Sequence, residues 1–223
     1  MNIKSLLAAT FAVASMSTLS MAQTRTIEHE YSEFDAISVS DGFKVSFVES
    51  DGYSAKFKVN DAFESYVQCY VKAGTLYIGV DDKSIPKEVK KSFKGKNSDD
   101  PVLEATVYVP SLKAVTLSDN CTFSCDKDIN APKFTLELSG TSSVSNLNIH
   151  AGESAVITVS KKAKLSSVNV KAEDKVTVNA EGNASVLLEY SAKTLEVNNS
   201  GSAELAINGQ AETASVSTAG SAK

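Results

Sequence analysis

Few side chains in this 223-residue sequence are of the types that carry acid–base, nucleophilic or metal chemistry. They include two histidines, His29 and His150, three cysteines, Cys69, Cys121 and Cys125, and the single arginine Arg25. Cys121 and Cys125 form one C-x3-C, which falls short of a zinc set with so few histidines beside it. On one strand those two thiols would lie about 13 Å apart, at roughly 3.3 Å per residue. A disulfide tolerates less than about 7 Å between Cα atoms. Alternation through Phe123 instead puts them on one face as buried thiols. Asp119, Asp126 and Asp128 are a thin acidic cluster without the Asp-rich turn of a calcium site.

Glycoside chemistry on a β-helix would need clustered carboxylates along one face. Glu137, Glu153 and Glu196 are the acids to consider. Glu137 and Glu196 occupy the outward middle position of apolar-x-apolar triplets, where Thr116, Thr158, Thr177 and Ser215 stand in other copies. No carboxylate ladder forms, and the acids read as solvated strand surface. Ser84-Ile85-Pro86-Lys87 matches S-x-x-K without its partner motifs. No G-x-S-x-G, H-E-x-x-H, P-loop or G-x-G-x-x-G occurs. The expectation is a protein with no catalytic, cofactor-binding or metal-ligating residues.

Residues 1–22 read as a secretory leader, with Lys4 in a basic start, an apolar run from Leu6 to Val13 and Ser20-Met21-Ala22 at the exit. No cysteine follows to carry a lipid, and no later run approaches the roughly 18 apolar residues of a membrane-spanning helix. The expected location is therefore outside the cytoplasm: periplasm, outer surface or extracellular space. A net charge of −5 disfavours nucleic acid as a partner, because phosphate binding needs a basic footprint.

The elements that would position these residues are strands. Ile37-Ser38-Val39, Phe43-Lys44-Val45-Ser46-Phe47, Ala55-Lys56-Phe57-Lys58-Val59 and Val67-Gln68-Cys69-Tyr70-Val71 alternate with period two, as do Leu76-Tyr77-Ile78-Gly79-Val80 and Ala105-Thr106-Val107-Tyr108-Val109. Asp41-Gly42, Asp51-Gly52 and Ala73-Gly74 mark turns between them. Only 61–66 suggests a helical turn. The segment 83–100 holds six lysines and closes on Asp99-Asp100-Pro101, and it reads as a solvated insertion. A basic patch for anionic polysaccharide or lipid headgroups is its functional alternative.

Beyond residue 110 the sequence repeats. Six triplets, Val115-Thr116-Leu117, Leu136-Glu137-Leu138, Ile157-Thr158-Val159, Val176-Thr177-Val178, Leu195-Glu196-Val197 and Ala214-Ser215-Val216, recur at steps of 21, 21, 19, 19 and 19. Their last members give an inward ladder of Leu117, Leu138, Val159, Val178, Val197 and Val216. A polar corner ladder follows as Ser118, Ser139, Ser160, Asn179, Asn198 and Ser217. Gly182, Gly201 and Gly220 keep the same step. A fixed period near 20 residues with Ser/Asn/Gly corners predicts stacked coils, since each unit buries its apolar face only against its neighbours. The fold expected is all-β: a leader at 1–22, an N-terminal β region at 23–110 with the Lys-rich insertion, and a β-solenoid of about six coils over 111–223.

Three stretches carry a family resemblance: Phe34-Asp35-Ala36-Ile37-Ser38-Val39-Ser40-Asp41-Gly42-Phe43-Lys44-Val45, Gly74-Thr75-Leu76-Tyr77-Ile78, and Pro110-Ser111-Leu112-Lys113-Ala114-Val115 leading into Leu136-Glu137-Leu138-Ser139-Gly140. From about residue 27 onward the chain resembles the exported bacterial family described as putative auto-transporter adhesin, head GIN domain. The resemblance implies an exported β-rich domain with an adhesive role and no established reaction. It brings no catalytic or binding residues. Ser160-Lys161 and Asn179-Ala180 depart from the family's Ser-Gly corner, which predicts irregular coils there.

Two function classes follow. The first is a non-enzymatic surface or periplasmic module, adhesive or structural, offering Ser/Thr/Asn faces to a surface glycan or protein. The second is a carbohydrate-binding or carbohydrate-active domain, for which Tyr31, Tyr53, Tyr70, Tyr77 and Tyr108 would replace the missing tryptophan. The sixth coil ends just past its corner at Gly220-Ser221-Ala222-Lys223. That predicts a loose last coil, a mostly monomeric protein and weak self-association.

Overall fold

The computed structural model describes residues 23–93 and 101–221; the expected leader at 1–22 lies outside the described residues. Seven strands precede residue 110: β1 (Thr24–Glu30), β2 (Ala36–Val39), β3 (Lys44–Glu49), β4 (Ser54–Asn60), β5 (Val67–Lys72), β6 (Thr75–Val80) and β7 (Leu103–Val109). They are followed by β8 (Ala114–Leu117), β9 (Thr122–Cys125), β10 (Ile129–Leu138), β11 (Ser143–Val159) and β12 (Lys164–Ala172). Then come β13 (Lys175–Ala180), β14 (Ser185–Ser191), β15 (Thr194–Gly201), β16 (Glu204–Gln210) and β17 (Thr213–Gly220). The fold is all-β with a β-solenoid of about 5 turns. The sixth triplet contributes the single strand β17 rather than a turn, which accounts for the difference from six.

The coils have three faces. The first stacks β6, β2, β8, the later half of β10, the end of β11, β13, β15 and β17 in parallel. The second stacks β7, β3, β9, the start of β11, β12, β14 and β16. The third is made by the first residues of β10, the middle of β11 and the later parts of β12, β14 and β16. Antiparallel pairing closes one end, β5 on β6, β4 on β7 and β1 on β4. The parallel stack runs back past residue 111, because β2 and β3 lie in register on β8 and β9.

Inward rows fill the interior. One is Ile37, Val115, Leu136, Ile157, Val178 and Val197; another is Val39, Leu117, Leu138, Val159 and Ala180, all buried. The six-residue inward ladder read from the triplets is therefore two rows. Leu117, Leu138 and Val159 share one, whereas Val178 pairs with Ile157 and leads to Val197 and Val216 in the other. A shift of two residues leaves every side chain on the same face of a strand, so alternation alone cannot detect it. Ala180, small and outside the triplet, takes the place above Val159. Val216 is 64% exposed, and every position of β17 is exposed.

The corner between the first and second faces is a column of left-handed residues: Asp41, Asp119, Gly140, Lys161, Gly182, Gly201 and Gly220, with φ between 58° and 81°. The next residue donates its N–H to the column carbonyl one coil back, as Lys162 does to Gly140 at 2.9 Å and Asn183 to Lys161 at 2.7 Å. Lys161 thus keeps the corner geometry despite lacking glycine. Asn179-Ala180 is not a corner at all, since Glu181-Gly182 takes that place. A Cβ on Gly140 would stand 2.5 Å from the Asp119 carbonyl oxygen, so this position needs both the positive φ and the missing side chain.

Residues 83–93 of the Lys-rich segment are more ordered than the lysines suggest. Residues 87–92 form the helix α1 (Lys87–Ser92), Ile85 is buried, and Phe93 meets Phe63 edge-on at 5.0 Å between centroids. Ile85, Val89 and Phe93, spaced four residues apart across this helix, pack on the core, while Lys83, Lys87 and Lys91 are exposed and Lys90 pairs with Asp82 at 2.8 Å. Residues 94–100 of that segment lie outside the described residues.

Candidate functional site

The outward side of the third face collects the most varied chemistry. Each coil supplies a polar-apolar-polar triplet there: Asp128-Ile129-Asn130, Asn148-Ile149-His150, Asn169-Val170-Lys171, Glu189-Tyr190-Ser191 and Asn208-Gly209-Gln210. The middle residues Ile129, Ile149, Val170 and Tyr190 pack inward, and Ile149 and Val170 are wholly buried; the last coil has Gly209 in that place. Parallel register then aligns the outer ones. Asn148, Asn169, Glu189 and Asn208 form one row; Asn130, His150, Lys171, Ser191 and Gln210 form the next. Neighbouring members are spaced by the inter-strand distance, about 4.8 Å.

Hydrogen bonds run along the first row. Asn169 Nδ2 donates to Asn148 Oδ1 at 3.0 Å, and Asn148 Nδ2 donates to Asp128 Oδ1 at 2.9 Å. The other Asp128 oxygen lies 3.5 Å from His150 Nε2. Two adjoining hollows overlie these rows, of about 790 and 390 Å³, and both include His150, Lys171 and Ser191. Pro132, Gly152, Glu153 and Glu173 bound the larger one. Glu153 is drawn to Lys133 at 3.0 Å, and nearby Asp174 to Lys193 at 2.8 Å. The arrangement offers an open face of amide, imidazole, carboxylate, ammonium and hydroxyl groups at strand spacing. Such a surface can hydrogen-bond a hydroxyl-rich or polar chain laid along the solenoid axis.

Of the residues singled out from sequence, His150, Asp128 and Glu153 lie here; the two ladders read from the triplets sit elsewhere. Ser118, Ser139 and Ser160 are in register at the edge of the first face, and the hydroxyls of Ser118 and Ser160 donate to the Val39 and Leu138 carbonyls at 3.3 Å each. Asn179 is not above Ser160; it pairs with Thr158 and donates to its hydroxyl at 3.3 Å. Asn198 continues that second row, donating to Asn179 Oδ1 at 3.0 Å, with Ser217 next in register. The polar corner ladder is thus also two rows, for the same two-residue reason, and its bonds serve stacking.

Glu196 is held by the Lys175 ammonium at 2.5 Å and by Asn198 at 3.2 Å, and these partners lower its pKa. Cys69, Cys121 and Cys125 are free thiols. Cys121 is fully buried; Cys125, half-buried, donates to the Lys127 carbonyl at 2.9 Å. Among the described residues, no three His, Cys, Asp or Glu side chains converge as metal ligands, and no helix is long and apolar enough to cross a membrane.

Reading for catalytic pairs missed Asn148, Asn169, Lys171, Glu189 and Ser191. The signal was present in the 21-residue step from Asn148 to Asn169 and from His150 to Lys171, on the coils' second strand series rather than the triplets.

The family described as putative auto-transporter adhesin, head GIN domain, matches residues 33–223. No curated protein matches the chain. Among solved structures, a putative adhesin from Bacteroides fragilis superposes with a TM-score of 0.63 at 15% identity, over 90% of this chain and 95% of that one. A putative adhesin from Parabacteroides merdae gives 0.45 at 14% identity, over 91% and 95%. A putative lipid binding protein from Parabacteroides distasonis gives 0.45 at 20% identity, over 91% and 96%.

Proposed function

The chain belongs to the head GIN domain family of putative auto-transporter adhesins, and from that premise we propose that it is an exported, non-enzymatic module of the cell envelope. It holds a surface glycan or protein through many weak contacts along the third face. The observation that carries this reading is the register of Asp128, Asn148 and Asn169 with His150 and Lys171 beside them. Five coils repeat a polar triplet at one spacing, which suits an extended partner better than a small enclosed substrate. Export follows from the leader-like composition of residues 1–22.

A carbohydrate-active domain is the second reading, favoured by the Glu153 and Glu173 carboxylates that border the larger hollow. Glu153 is engaged by Lys133, which suits a charge-balanced contact better than a proton shuttle. A glycan and protein array run beside a reducing-sugar release assay separates the two readings. Retention without release supports the adhesive module. Release that survives repurification and is lost in Glu153→Gln or Glu173→Gln supports the enzyme.

A further inference from the structure

A second candidate site lies on the first face, at its antiparallel edge. The outward residues of β5, β6 and β2 form a small grid. Gln68 pairs with Gly79, Tyr70 with Tyr77 and Lys72 with Thr75 across the β5–β6 hairpin. Tyr77 and Thr75 pair in turn with Ser38 and Ala36 on β2. Tyr70 and Tyr77 stack with ring centroids 5.2 Å apart and planes within 15°. Tyr70 is 50% exposed. An amphipathic ring in that state leaves apolar area open to water beside the polar side chains of Gln68 and Lys72.

Beside the rings lies a notch of about 110 Å³, bordered by Ser38, Ser40, Asp41, Gln68, Gly79 and the two tyrosines. A Cβ at Gly79 would stand 2.5 Å from Ser40 Oγ and 2.8 Å from Asp41 Oδ2. Glycine therefore lets those two groups close over the strand. Asp41 Oδ2 is held there by the Ser40 hydroxyl at 2.6 Å and the Val80 N–H at 2.9 Å. At roughly 30 Å³ per water, the notch takes a substituent rather than a whole sugar ring.

We propose that Tyr70, braced face to face by Tyr77, stacks its open face on one pyranose residue of a neutral, β-linked gluco-configured glycan, whose hydroxymethyl or acetamido arm enters the Gly79 notch beside Gln68 and Ser38. Equatorial substituents leave such a sugar a flat C–H face to lie on an aromatic ring, with hydroxyls directed to the rim. The rim here is Gln68, Lys72, Thr75, Ser38 and Ser40. The other large exposed hydrophobics among the described residues, Val48, Leu187 and Val216, lie on β3, β14 and β17, away from this edge. This site is independent of the third face.

The full chain is titrated with cellotetraose, chitotetraose and, as an α-linked comparison, maltotetraose. Binding is followed by tyrosine emission, which no tryptophan masks, and by calorimetry. The expected result is binding of a β-linked probe, with affinity lowered about tenfold in Tyr70→Ala and kept within about threefold in Tyr70→Phe. Gln68→Ala weakens it without touching the rings, which guards against a folding defect in Tyr70→Ala. Lys164→Ala, exposed on the second face, leaves this binding unchanged. The proposal is overturned if neither β-linked probe binds, if Tyr70→Ala and Gln68→Ala both bind like wild type, or if only a protein is retained in a Tyr70-dependent manner.

Discussion

Asn169 donates from its side-chain amide to Asn148 one coil below, at 3.0 Å, and Asn148 passes the same bond on to Asp128 at 2.9 Å. Both amides donate to the coil before them, so these coils are locked to one another through the surface they present. Asn148→Ala removes one bond given and one received. The expected loss is about 1 kcal/mol, and a domain of this size then melts about 2–4 °C lower. An unchanged melting temperature would show that the row adds nothing to stacking.

The inward rows predict a sharp contrast between neighbours. Val178 is wholly buried over Ile157, while Thr177 beside it faces outward. Val178→Asp forfeits about 1.5–3 kcal/mol of transfer energy and adds the desolvation of a carboxylate, so the coil unfolds at ambient temperature. Thr177→Asp is tolerated. Similar melts for the two variants would contradict the assigned facing.

The corner column predicts opposite effects at two adjacent coils. Gly140→Ala puts a Cβ against the Asp119 backbone at a φ of 72°, and destabilises by at least about 1–2 kcal/mol. Lys161→Gly relieves a left-handed lysine at φ 61°. It returns about 1–2 kcal/mol of strain against roughly 0.4–1 kcal/mol of added chain entropy, for a small net gain. Chemical denaturation of both variants measures the pair.

Alkaline pH should weaken the fold through its thiols. Burial pushes Cys121 up to about 11 and Cys69 up to about 12, from an ordinary 9.0. Between those values the unfolded chain has released protons that the folded chain still holds, so stability falls as pH rises from 9. Below that range both states keep the proton and the contribution is constant. Cys121→Ala should lose less stability than wild type between about pH 8 and about pH 10.5. Equal losses would mean that Cys121 is not protected as described.

Much of the architecture was legible because burial on one strand face leaves a period-two record, and stacking of equivalent coils leaves a period near 20. Leu117, Leu138 and Val159 stack in one row. Val178 was assigned to their row because an even slip changes no facing. The information that resolves it is the corner: Lys161 and Gly182 stack, and a 21-residue step between them fixes Ile157 below Val178. The stripe of Ile85, Val89 and Phe93 was hidden among lysines. The third-face site was harder to see because its groups belong to no catalytic pattern. Asn148, His150, Asn169 and Lys171 gain meaning only when parallel register brings residues 21 apart to adjacent positions.

The central claim is that the laddered third face is the adhesive surface, and binding of the purified chain to a glycan and protein array before and after Asn169→Ala/Lys171→Ala tests it most directly. Both residues are exposed, so circular dichroism of the double variant should match wild type. The account predicts retention of a surface glycan or protein by the wild type, at least a tenfold loss in the double variant (about 1.4 kcal/mol), and no product release from any retained ligand. Undiminished retention by the double variant, or turnover of the bound ligand, would contradict it.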